Sequence, residues 1–362
     1  MNNPLIDIIV TVWNRPVETR NCIVSLINHS PDARFILMDN GSDRETERIL
    51  QEFAEILDHK AVLLRNNVNK GNVRAINSGL THAEAPYIAI FNNTSIVTES
   101  WLDPLIKFAR ERKEAGIIVP RLIPLTEGKA LKSKLTSVTP IEADHGSFSA
   151  MLFTKTLYDL IGGFDEEMDR GLWCLRDFTR RAYRALFLTF RVEEGVVCFE
   201  DEIRLGSVER RELSIQRSMA KYRDRWGEQS SFCVHMPKSA DLKTLQQKLE
   251  VLLQGARQGH LFTILVHSRL YKELAMNGVE RLHENIRFIR LPLMFETKAI
   301  SKAIASIDAA TPGSRTVTGI DNIPFPAGVN SISFEELKHI IGKIQEEKYG
   351  RTIPACVINT VS

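Results

Sequence analysis

Short apolar runs that alternate with amphipathic stretches at a near-constant pitch constrain this chain more than any other feature. Residues 5–12, 35–38, 61–64 and 87–91 read as buried strands. Between the first two, Pro16 suits a first helical turn, and Cys22, Ile23, Leu26 and Ile27 make one apolar helical face. Residues 44–57 carry Ile49, Leu50, Phe53, Ile56 and Leu57 at helical spacing, and residues 73–80 read as a third helix. Strand–helix alternation of this kind predicts an α/β fold with a parallel, doubly wound sheet. Such sheets bind ligands beyond the carboxyl ends of their strands, which is where 11–15, 39–42 and 92–95 fall.

From Gly116 the pattern loosens. Residues 121–145, rich in Lys, Thr, Ser and Pro, read as a long loop. Order returns at 147–153, with a helix near 155–161, a turn at 162–165 and a helix around 176–185. A second alternating block begins near Phe232. Strands are expected at 232–235, 262–266, 286–291, 316–320 and 355–358, with helices at 242–254, 269–275, 297–307 and 334–347. The expected division is a first domain over 1–230 and a smaller accessory α/β domain over 231–362.

A length of 362 residues accommodates two cores, and 25 % charged with 43 % hydrophobic residues is ordinary for a soluble globular protein. The net charge of +2, without a clustered basic run, predicts no nucleic-acid partner. Five scattered cysteines, never paired as CxxC, suit a reducing compartment. No apolar run approaches the roughly 20 residues of a membrane span. The expected location is the cytoplasm, with membrane-linked substrates reached peripherally from the inner face.

A doubly wound sheet first suggests a dinucleotide enzyme, but the turn after the first strand, Thr11-Val12-Trp13-Asn14-Arg15-Pro16, has no glycine, and a P-loop is absent. The same turn resembles the opening of inverting family 2 glycosyltransferases with the GT-A fold. The resemblance continues through Met38-Asp39-Asn40-Gly41-Ser42-Asp43, 66–69, Lys70-Gly71-Asn72 with Asn77, and Asn92-Asn93-Thr94. It then takes in Gly162-Gly163-Phe164-Asp165-Glu166, Leu175-Arg176-Asp177 and 222–227. It covers residues 5–227 and leaves the C-terminal domain outside.

This resemblance implies a GT-A nucleotide-diphospho-sugar transferase fold with a doubly wound mixed sheet, a nucleotide-sugar donor and a saccharide or glycoconjugate acceptor of the cell envelope. Donor contacts fall to Thr11, Asn14, Arg15, Asp39, Lys70, Gly71, Arg74, Asn92 and Asn93. Asp39 has an alternative as the acid of an Asx-turn at Gly41-Ser42. The Lys70-Gly71-Asn72 amides are either an anion site or a simple helix start. Inverting transfer needs a base for the acceptor hydroxyl, and the resemblance assigns it to Asp177, whose alternative is a helix cap. Relatives hold Mg²⁺ or Mn²⁺ through an acid at the place of Thr94, which brings no charge. Glu200 and Asp201 are weak substitutes, and Arg15, Lys70 or Arg74 could neutralise a diphosphate instead. A catalytically silent nucleotide- or glycan-binding protein is the alternative function. The C-terminal domain is a candidate for docking or oligomerisation.

Overall fold

The structure, a computed structural model, describes residues 4–125, 139–200, 207–236, 242–293, 296–318 and 330–351. The chain forms two compact units: residues 1–140 with 145–225, and residues 141–144 with 226–362.

The first unit runs β1 (Ile6–Val12), α1 (Pro16–His29), β2 (Ala33–Asp39), α2 (Arg44–Leu57), β3 (Ala61–Arg65), α3 (Asn72–Leu80), β4 (Tyr87–Asn92), β5 (Ser95–Val97), α4 (Asp103–Glu111) and β6 (Ala115–Pro124). The short β7 (Ile141–Glu142) belongs to the other unit. The first unit resumes with β8 (Met151–Thr154), α5 (Lys155–Ile161), α6 (Trp173–Arg184), β9 (Leu188–Phe199) and most of α7 (Val208–Trp226). Its strands follow the order β3-β2-β1-β4-β8-β6-β9-β5.

The half from β3 to β4 is parallel. All seven residues of β1 are buried, as expected of a strand flanked by parallel neighbours and covered on both faces. Its one acid, Asp7, is satisfied by two bonds from Arg34 (2.7 and 2.9 Å) and the amides of Glu84 and Ala85 (2.6 and 2.8 Å). Beyond β4 the sheet becomes mixed: β8 is antiparallel to both β4 and β6, while β6 and β9 run parallel. The α/β class implied by the sequence, a doubly wound mixed sheet followed by a smaller α/β unit, is present.

The second unit comprises β10 (Ser231–Met236), α8 (Leu242–Arg257), β11 (Leu261–His267), α9 (Ser268–Met276), β12 (Ile286–Leu291), α10 (Glu296–Ala310), β13 (Arg315–Thr318), β14 (Ser331–Ser333) and α11 (Phe334–Ile344). Its five strands are parallel in the order β12-β11-β10-β13-β14, so the winding reverses at β10. Phe232, Val234, Leu252, Phe262, Ile264, Leu337 and Ile341 centre its core. The expected strand at 355–358 lies outside the described residues.

Two sequence expectations need correction. Residues 121–145 are not one loop: β6 runs to Pro124, and residues 141–144 join the second unit. There Glu142 receives two bonds from Arg257 (2.7 and 2.6 Å), both side chains being buried. Asn285 donates to Asp144 at 2.9 Å. The second unit also begins at Trp226, whose ring stacks on Tyr349 at 5.2 Å. Among the described residues, no helix is long and apolar enough to cross a membrane.

Candidate functional site

The carboxyl ends of β1, β2 and β4 are adjacent because β1 pairs with both other strands in register: Val12 faces Asp39 and Thr11 faces Asn92. Their loops are cross-tied. The Thr11 hydroxyl lies 3.4 Å from Asn92 Oδ1, and the Asn93 side chain donates to the Asn14 carbonyl at 2.9 Å and to Thr19 at 2.8 Å. Asn14 accepts the Asp43 amide on Oδ1 at 2.8 Å, and its own amide donates to Ser42 Oγ at 3.0 Å.

Asn40, which sequence reasoning did not single out as a site residue, organises the neighbouring loop. Its Oδ1 accepts from Asn66 (2.9 Å) and the Lys70 amide (3.1 Å), and its Nδ2 donates to Asn69 (3.0 Å) and the Gly71 carbonyl (3.1 Å). With all four hydrogen-bonding sites of one buried amide engaged, the 66–71 segment is fixed against β2.

Asp39 is 1 % exposed. Its Oδ1 accepts the Ser42 amide at 2.9 Å and its Oδ2 accepts Arg65 at 3.0 Å. The contact with Ser42 that the Asx-turn alternative expects is present, and Asp39 braces the loop from within.

Asn14 and Arg15 both have left-handed backbone, with φ of 55° and 63°. For non-glycine residues this costs on the order of 1–2 kcal/mol each, and Pro16 further disfavours helical geometry at Arg15. The strained turn directs the Arg15 side chain at Glu18 (2.8 Å) and at the Glu200 carboxylate. Burial works against its charge, but the two glutamates outweigh this and hold the Arg15 pKa above its ordinary value. The Thr94 hydroxyl donates to the Glu200 carbonyl at 3.1 Å, and the Glu200 amide returns a bond to the Thr94 carbonyl at 3.3 Å.

These contacts test the divalent cation that the resemblance implies. At the expected place the described donors are one neutral hydroxyl, already donating, and one carboxylate paired with a guanidinium. A hard dication wants several oxygens and no adjacent positive charge, so the described residues do not fit it. Among the described residues no group of three or more metal-ligating side chains gathers. Asp201 lies outside the described residues.

Asp177 requires the clearest correction. It lies within α6, not at its start, and is fully buried. Arg181 donates to its Oδ2 at 2.8 Å and Arg225 to its Oδ1 at 2.7 Å. Arg225 also holds Asp165 at 2.7 Å. Burial opposes the Arg225 charge, but the two aspartates raise its pKa regardless. Arg181 further donates to the carbonyls of Ile161 and Gly163, both at 2.7 Å. A carboxylate clamped this way is a structural anchor, without the access a base for an incoming alcohol requires. The neighbouring Arg176 lies over the Trp173 ring, 5.3 Å from its centroid.

The Gly162-Gly163 turn is also tied to α3. Asn77 donates to the Phe164 carbonyl and accepts the Phe164 amide, both at 2.9 Å. Following this turn, Asp169 arrives at the amino end of α3, where its Oδ1 accepts the Val73 amide at 3.2 Å. The anion position expected at Lys70-Gly71-Asn72 is thus occupied by a carboxylate of the chain itself. Arg74, expected at a diphosphate, pairs with Glu166 at 3.1 Å, and the Lys70 side chain is exposed. Burial raises the Asp169 pKa, against the Val73 hydrogen bond and the charges of Arg170 and Arg74. Sequence reasoning missed Asp169 because nothing local separates it from Asp165, Glu166 and Glu167; only the fold brings it to Gly71.

Known proteins bear on this arrangement as follows. The sequence model described as glycosyl transferase family 2 matches residues 7–162. An uncharacterized glycosyltransferase of Methanocaldococcus jannaschii is 24 % identical over 121 residues, covering 33 % of this chain and 41 % of that protein. An uncharacterized glycosyltransferase of Haemophilus influenzae is 29 % identical over 109 residues, covering 30 % of this chain and 43 % of that protein. The chain therefore spans less than half the length of these relatives. Among solved structures, a mannosyltransferase of Pyrobaculum calidifontis in complex with GDP-Man and Mn²⁺ aligns with a TM-score of 0.48 at 15 % identity, covering 61 % of this chain and 64 % of that one. Over residues 7–162, from the first strand to the glycine turn that Asn77 holds, this chain is similar to glycosyl transferase family 2.

Proposed function

We propose that the amino-terminal unit transfers a sugar from a nucleoside-diphosphate donor to a hydroxyl of a saccharide or glycoconjugate acceptor, with inversion. The match of residues 7–162 to the glycosyl transferase family 2 model supports sugar transfer in general. The single observation that carries the finer reading is the placement of Asp169. It is a carboxylate desolvated enough to raise its pKa, accepting the Val73 amide through Oδ1, at the carboxyl edge of the parallel strands.

In this reading Asp169, not Asp177, takes the proton as the acceptor hydroxyl attacks the anomeric carbon. A base whose pKa lies above the usual carboxylate range accepts a proton more readily, which favours this role. The loops at Thr11, Asn14, Asn92 and Asn93 form the floor on which the nucleotide lies. The charge growing on the departing diphosphate meets cationic side chains of the chain.

A second reading is binding without turnover, favoured by the burial and double ion pairing of Asp177. The two separate cleanly. Nucleoside-diphosphate release should be measured across UDP-, dTDP- and GDP-sugars with a panel of saccharide acceptors, for wild type and Asp169→Asn. Turnover lost in Asp169→Asn with nucleotide affinity retained supports transfer with Asp169 as base. Undiminished turnover removes Asp169 from that role, and tight nucleotide binding without turnover across the panel favours the second reading.

A further inference from the structure

The geometry points to Arg15 as the replacement for the divalent cation: a donor diphosphate displaces Glu200 from the Arg15 guanidinium, and nucleotide binding needs no metal. This rests on the nucleotide-sugar reading above.

Four observations converge. Thr94 and Glu200 exchange backbone-level bonds, the Thr94 hydroxyl donating at 3.1 Å and the Glu200 amide at 3.3 Å, which fixes Glu200 beside Thr94. β5, which starts at Ser95, pairs antiparallel with the end of β9 and sets that register. The Arg15 guanidinium meets the Glu200 carboxylate there, so positive charge already stands next to the place where a metal-binding acid would be. Arg15 reaches it only through two consecutive left-handed residues, an arrangement that a plain helix start at Pro16 does not require.

The electrostatics allow an exchange. Arg15 has two acidic partners, Glu18 and Glu200, of which Glu200 is 41 % and Glu18 33 % exposed at the side chain. Glu200 holds Thr94 through backbone atoms alone, so its side chain can leave without disturbing that pair. A guanidinium presents a planar fork of donors that matches phosphate oxygens two at a time and remains charged at any physiological pH. Arg15 itself retains 21 % side-chain exposure, enough to be approached from solvent. A dication at the same place would face an unfavourable neighbour in the guanidinium, whereas a diphosphate gains one.

The test is a calorimetric titration of the full chain with UDP, dTDP and GDP, each in EDTA and each in Mn²⁺. We expect one nucleoside diphosphate to bind with a Kd that agrees within about twofold between the two conditions. Arg15→Ala should weaken it by at least tenfold, Arg15→Lys should fall between, and Glu200→Gln should tighten it several-fold by removing the competing charge. Circular dichroism confirms folding of each variant. Binding that appears only with Mn²⁺ overturns the inference and leaves the donor reading standing. So does affinity that survives Arg15→Ala unchanged. Failure of folded wild type to bind any of the three nucleotides in either condition overturns both.

Discussion

A β-carbon on Gly71 would lie 2.5 Å from Oδ2 of Asp169. Gly71 has φ +95°, a region that side chains avoid, and its carbonyl accepts from Asn40. The turn therefore serves as the seat of the one carboxylate proposed to do chemistry, and a glycine is what leaves room for it.

Gly71→Ala is expected to lower stability by about 1–3 kcal/mol and to push Asp169 off the Val73 amide. Urea denaturation measures the first effect. Turnover should fall with it, and unchanged midpoint and turnover would show that the turn tolerates a side chain.

The pH dependence of Asp169 has a definite sign. Its folded pKa is raised, so its contribution to stability is complete below the ordinary value of 3.8 and is lost as pH rises through the folded value. Asp169→Asn retains an oxygen for the Val73 amide and removes the partly buried charge. The variant should melt above wild type at pH 7, with the gap closing towards pH 3. A lower Tm at pH 7 would contradict the burial argument.

Asp177→Asn leaves Arg181 and Arg225 without their shared anion. Breaking a buried pair costs roughly 3–5 kcal/mol, and solvent access to both arginines places this one at about 3 kcal/mol. Thermal unfolding should report that loss. A variant that keeps its Tm yet loses turnover would restore Asp177 as the base.

In the second unit, Glu142→Ala should expose the same asymmetry, because Arg257 would be buried without its carboxylate. Hydrogen exchange of β10 and β11 amides should accelerate markedly, and replacing both partners by apolar residues should recover part of the protection. No change in exchange would mean that residues 141–144 contribute nothing to this unit.

Burial pushes the thiols of Cys22, Cys174 and Cys233 up to about 12 from 9. Their thiolate fraction in the native state at pH 8 is thereby about a thousandfold lower than in the unfolded chain. Mass-spectrometric mapping of alkylation should find these three protected until denaturant is added. Rapid native labelling at Cys22 would show that the packing of α1 opens readily.

The parallel half of the first sheet was legible because each of its strands is an uninterrupted apolar run. The mixed half was not: β6 and β9 are ten and twelve residues long, yet polar side chains and two register shifts break their periodicity. Site residues divided in the same way. Thr11, Asn14, Asn92 and Asn93 meet as anticipated, because adjacent strands must present adjacent ends. The status of Asp39 and Asp177 could not be read, because Arg65 and Arg225 lie 26 and 48 residues away from them, and only Arg181, four residues on in the same helix, is a local partner.

By itself the sequence determined the two α/β units, the resemblance of the first to glycosyl transferase family 2 and the loops that line the strand ends, since hydrophobic period and turn chemistry are local properties. Only the tertiary structure decided which charges are engaged. It locked Asp177 between two arginines, set Arg15 against Glu200 and brought Asp169 to Gly71. An ionisable group's role follows from the charges and solvent around it, and those come from segments that chain order alone does not bring together.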